Sequence, residues 1–99
     1  MFMLTRSKSA RLGRIEVLAA ELRAARLAEE KAHAAYHAER EAVRRFIADR
    51  RKPDGRDVDA VVDQLAHWSV VVESLAEAAR RSTQARRSIM LRLESAVLD

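Results

Sequence analysis

The chain has no cysteine, one proline, two glycines and only 4% aromatic residues. Without cysteine there is neither a disulfide frame nor a thiolate metal site, which suits a reducing compartment. With so few helix breakers, long uninterrupted helices are permitted. No apolar run approaches the roughly 20 residues needed to span a bilayer. The opening Met-Phe-Met-Leu is too short for a signal-peptide core, and charged residues follow at once. The expectation is a soluble, cytoplasmic protein, with export by a route that needs no cleaved signal left open.

What fills the 99 residues is Ala, Arg, Glu, Leu and Val, the composition of long helices or coiled coils. The second half is the clearest stretch. Alternating steps of three and four from Val58 reach Val61, Leu65, Trp68, Val72, Leu75, Ala79, Ser82, Arg86, Ile89, Leu93 and Ala96. Such a seam keeps one stripe on one side of a helix and asks for another helix to cover it. Only Ser82 and Arg86 interrupt it.

The first half also reads as helix, from about residue 10 to 51, with the residues before it frayed and Thr5, Ser7 or Ser9 as candidate caps. Its seam runs through Leu12, Ile15, Leu18, Leu22, Ala25, Ala32, Tyr36, Val43, Phe46 and Ile47, and Glu29 interrupts it. The middle is alanine-rich and buries little area per turn. Between the halves, Lys52-Pro53-Asp54-Gly55-Arg56-Asp57 is a strong turn signal with Asp57 as a helix cap. A short turn between two helices forces them antiparallel. The expected fold is therefore all-α: one domain, an antiparallel two-helix coiled-coil hairpin with helices over about 10–51 and 57–98. Folding about Asp54 pairs positions whose numbers total about 108. That sets Phe46 against Val61 and Val62, and Arg86 against Leu22, within reach of Glu21.

The net charge of +4 is unevenly placed. Arg6, Lys8, Arg11 and Arg14 precede any acidic residue. Arg80, Arg81, Arg86, Arg87 and Arg92 lie together between Glu77 and Glu94. The hairpin gathers both groups at its open end, a surface for an acidic protein or for nucleic-acid phosphates. Stacking aromatics are absent there apart from Phe2, which favours protein. Asp54, Asp57, Asp59 and Asp63 collect at the turn.

Trp68 with Val70, Val71 and Val72 is the other candidate surface. Consecutive helix residues point about 100° apart, so one neighbouring helix cannot cover all three valines. The surplus face, with Val62, Trp68 and Val71, is expected to meet a second copy in a four-helix arrangement, or a different protein.

Chemistry is sparse. His33 and His37 share a face at a spacing that can hold zinc, but no third ligand is assured, and two ligands rarely make a site. No Gly-rich phosphate loop, nucleophile elbow or HExxH is present. A two-helix hairpin offers no deep cleft in which to raise a carboxylate pKa. The reading is a non-enzymatic protein without a cofactor or metal.

A short Arg/Ala/Glu-rich hairpin with a basic open end resembles the export-stalk proteins of flagellar and type III secretion systems, the FliJ/YscO type. The nearest local echo is Arg11-Leu-Gly-Arg-Ile-Glu-Val-Leu-Ala-Ala-Glu-Leu-Arg-Ala-Ala-Arg26. The resemblance implies a stalk or adaptor whose terminal ends insert into an export ATPase ring or meet chaperones. It makes Arg6, Arg11, Arg14, Arg86, Arg87 and Arg92 the ATPase-facing candidates, beside Trp68 and Val71 as apolar contacts. The chain also resembles secreted WXG-type hairpins in length, but lacks their Trp-x-Gly turn. It resembles RNA-polymerase channel factors in its acidic tip, but lacks their zinc-bearing part. A nucleic-acid or transcription-machinery binder, using the basic open end or the acidic tip, is the alternative function.

Overall fold

The computed structural model describes residues 2–49 and 58–99, and for residues 2–7 the backbone alone. It is an all-α helical hairpin of two long helices, α1 (Phe2–Asp49) and α2 (Val58–Leu98). The expected turn over 52–56 and the Asp57 cap lie outside the described residues. Helix α1 begins eight residues earlier than the sequence suggests. Residues 2–9 contain neither Gly nor Pro, so nothing in them stops a helix from continuing back from Ala10. Gly13 is taken into the same helix, without positive φ. At the start of α2, Asp59 lies in the first turn, where a carboxylate complements the helix dipole.

The helices form two compact units, residues 1–30 with 81–99 and residues 31–80. In the first unit, the buried and half-buried positions of α1 are Arg11, Ile15, Leu18, Ala19, Leu22, Ala25 and Glu29. Ala19 apart, they step by alternating fours and threes. Those of α2 include Ser82, Arg86, Ile89, Leu93 and Ala96 on the same spacing. Leu18, Leu22 and Ala96 are the buried core of this unit. In the second unit, Ala32, Tyr36, Glu39, Val43 and Phe46 of α1 share the shielded side with Val61, Leu65, Trp68, Val72, Leu75 and Ala79 of α2. Ala79 is its buried residue.

Two expected seam members of α1 are corrected. Leu12 is 60% exposed and Ile47 is 49% exposed. Counting back four from Ile15 lands on Arg11, and counting on three from Val43 lands on Phe46. Each displaced residue sits one 100° step off the seam.

The register is corrected as well. In the first unit the contacts are Glu29 with Arg86 and Glu21 with Arg92, while Leu18 and Ala96 line one groove. In the second unit the Phe46 ring meets Trp68, seven residues beyond the expected Val61. These pairs total 113 to 115, not 108. Part of the offset is general: a helical side chain leans toward its own N-terminus, so in an antiparallel pair the residues that touch lie further along both helices than the backbones that face. That lean adds about two to the total. The rest comes from α2 being set further along the chain than symmetric folding about Asp54 assumes.

Candidate functional site

Six of the eight candidate surface residues lie in the first unit, but they do not form one basic patch. Arg86 is the clearest departure. Its Nε–H donates to both carboxylate oxygens of Glu29, at 2.9 and 3.1 Å. The two side chains are only 25% and 20% exposed. The expectation of Arg86 over Leu22 and paired with Glu21 is thus overturned by the register. Arg86 and Glu29, each read as a polar interruption of its own seam, satisfy one another. Arg86 is committed inside the fold and is not offered to a partner.

Other arginines of the second basic group are also compensated. Arg92 lies 3.8 Å from Glu21, both partly exposed. In the second unit, Arg80 donates from Nε and from its terminal nitrogen to one oxygen of Glu77, at 3.1 and 2.8 Å, and stands 3.5 Å from Glu73. Its pKa is raised, first by the hydrogen bond to Glu77 and then by the charges of Glu77 and Glu73. Arg87 is exposed.

The N-terminal group differs. Lys8 and Arg14 are exposed and Arg11 is half-buried, while the side chain of Arg6 lies outside the described residues. Lys8 and Arg11 fall on the seam positions that Ile15 and Leu18 occupy further along. The apolar run of the α1 seam thus begins at Ile15, with two basic residues on the seam before it. Arg14 shares a shallow groove with Val17, Leu18, Arg92, Ser95, Ala96 and Asp99. There α2 stops: the Asp99 N–H donates to the Ser95 carbonyl at 3.0 Å, and the Ser95 hydroxyl donates to the Asp99 carboxylate at 3.4 Å. The register that brings Leu18 to Ala96 sets Arg14 beside the last turn of α2. Arg6, Lys8, Arg11 and Arg14 make a run of four cations in sequence with no acid before Glu16.

Of the apolar candidates of the second unit, Trp68 and Val71 are half-buried while Val62 is 56% exposed. The Trp68 ring packs edge-on against Phe46, with centroids 4.7 Å apart and planes at 76°. Trp68, Val71 and Val72 are half-buried, and it is Val70, at 70%, that points outward. On the same unit Tyr36 lies beneath the Arg40 guanidinium at 5.5 Å and beside His37 at 5.4 Å. His33 is half-buried and His37 exposed. Among the described residues no three His, Asp or Glu side chains converge on a point where a metal could sit. Nor, among them, is any helix long and apolar enough to cross a membrane.

No protein family, no curated protein and no solved structure matches this chain.

Proposed function

We propose that the protein is a non-enzymatic interaction module that docks the basic start of α1 onto an acidic protein surface. The observation that supports this is the one-signed helix end: Arg6, Lys8, Arg11 and Arg14 with no acid before Glu16. Cations concentrated on a helix end steer association with an acidic partner and set its rate more than its final affinity. The resemblance to export-stalk proteins supplies the partner to try first, an export ATPase, with a secretion chaperone second. Arg87 is an exposed cation of α2 that could join the contact, while Arg86 has no part in it.

The same cations could meet nucleic-acid phosphates, and one experiment separates the two. The purified chain and its Lys8→Glu/Arg14→Glu variant are titrated with the export ATPase of the source organism and with mixed-sequence duplex DNA. Both substitutions are at exposed sites and should leave helicity unchanged. The proposal expects ATPase binding that weakens with salt and is lost in the variant, with only weak binding to DNA. Tighter binding to DNA than to protein, with a salt slope of about one per neutralised phosphate, would transfer the site to the alternative. Equal behaviour of variant and parent would remove the site.

A further inference from the structure

Helix α1 carries a second seam, on the side away from α2. Alternating steps of three and four from Ala10 reach Gly13, Val17, Ala20, Ala24 and Leu27. None of the six is charged, and Lys31 ends the run. All six are exposed, Val17 at 58% and Leu27 at 55%. Their helical angles place them roughly opposite Ile15, Leu18, Leu22 and Ala25, and Val17 alone among them borders the groove shared with Arg92, Ser95 and Ala96 of α2. Gly13 is the telling member. A Cβ built there meets nothing within 4 Å. Alanine would therefore fit within this chain and favour the helix by about 1 kcal/mol. Nothing inside the unit asks for glycine at this position; a close approach from outside would.

We propose that this seam binds the same seam of a second copy, antiparallel, about a two-fold axis between Leu18 and Ala19. The residues choose that register. It sets Val17 against Ala20 of the second copy, Gly13 against its Ala24 and Leu27 against its Ala10. Larger side chains thus meet small ones, and two helices can approach closely. On one flank Glu16 faces Arg23 of the second copy, and on the other Arg14 faces its Glu21; the two-fold axis makes each pair twice. Every neighbouring choice fails on charge. Sliding one heptad in one direction sets Arg23 against Arg23 and Glu16 against Glu30. Sliding the other way sets Glu16 against Glu16 and Arg14 against Arg14. A parallel pair sets Glu16 against Glu21. Like charges held face to face suppress such arrangements.

The exposed area leaves room for the contact. The chain shows 8013 Å² of accessible surface, where a compact chain of 11.2 kDa shows about 5,700 Å². The excess, about 2,300 Å², is well above the roughly 800 Å² that each partner buries in a standard interface. This inference shares Arg14 with the docking role of the basic helix start but is tested at Glu16, Arg23 and Ala24, which that role does not use, and it locates self-association on α1 rather than on the Val62, Trp68 and Val71 face of α2.

The test is sedimentation equilibrium of the full chain, up to hundreds of micromolar, with circular dichroism on every variant. The parent should reach a dimer and go no further. Ala24→Arg, on an exposed helical site, should keep its helicity and weaken the dimer by about tenfold or more. Glu16→Arg and Arg23→Glu should each weaken it, and the double swap Glu16→Arg/Arg23→Glu should restore it, since the swap rebuilds both pairs with their signs reversed. The double swap is also the safeguard against a variant that simply misfolds. A parent that stays monomeric would overturn the proposal. So would a dimer indifferent to Ala24→Arg, or single swaps that the double swap fails to rescue.

Discussion

Removing Glu29 tests the internal logic of the hairpin more sharply than removing any apolar residue. Glu29→Ala strands Arg86, a guanidinium only a quarter exposed, beside a seam with no other carboxylate in contact with it among the described residues. The magnitude lies between two limits. A solvent-exposed ion pair contributes about 0.2–1 kcal/mol, and breaking a fully buried one costs about 3–5 kcal/mol. One N–H shared between two carboxylate oxygens is weaker than two parallel bonds, and the pair retains some solvent screening. About 1–2 kcal/mol of coupling is therefore expected. The assay is a double-mutant cycle of urea melts on the parent, Glu29→Ala, Arg86→Ala and the double variant. A parallel cycle on Glu21 and Arg86 is the control, because symmetric folding about Asp54 would pair those two instead. Coupling in the first cycle and none in the second is the expected outcome. Coupling in the Glu21 cycle, or none in either, would refute the register.

Leu22→Ala should cost about 2–4 kcal/mol in a thermal or urea melt, because Leu22 is 9% exposed. Leu65→Ala and Ile89→Ala should cost less, since both are half-buried, and Ala34→Ser, on an exposed site, should be nearly silent. Phe46→Ala should cost about 1–2 kcal/mol and shift the emission of Trp68, the only tryptophan, to longer wavelength; an unmoved spectrum would deny the edge-on contact. Gly13→Ala should raise the melting temperature at dilutions where the chain is monomeric, by removing a helix cost of about 1 kcal/mol.

The seam of α2 was readable from sequence because its bulky residues recur without a break from Val61 to Leu75, although Val58, expected to open it, is 47% exposed. Where alanine thins the pattern, on α1, the choice between adjacent residues was underdetermined. Leu12 is more hydrophobic than Arg11, yet the spacing turns Arg11 toward the partner helix, and at Ile47 it turns the adjacent Phe46 there instead. The register was the hardest feature to read. Apolar meets apolar at either 108 or 114, so hydrophobic matching alone does not discriminate between them. The decisive signal was the pair of polar interruptions, Glu29 and Arg86: opposite charges on opposing seams are expected to face each other. Taken together, they locate the register; taken one at a time, they read as separate defects. The basic end was legible only in part, because sequence counts charges without showing which are already compensated. Arg80, Arg86 and Arg92 meet carboxylates of their own chain. The outer seam from Ala10 to Leu27 is present in the periodicity, but four of its six residues are Ala or Gly and give a weaker signal than the bulkier stripe.

The claim on which the rest stands is the antiparallel register of the first unit, and the absence of cysteine makes it directly measurable. Glu21→Cys/Arg92→Cys and Glu21→Cys/Arg86→Cys are each treated at high dilution with a short bifunctional thiol reagent, and intramolecular cross-links are read by mass spectrometry. Glu21 and Arg92 sit side by side, with 3.8 Å between carboxylate and guanidinium, so the first variant should close efficiently and the second poorly. Efficient closure between 21 and 86, with little between 21 and 92, would contradict the account.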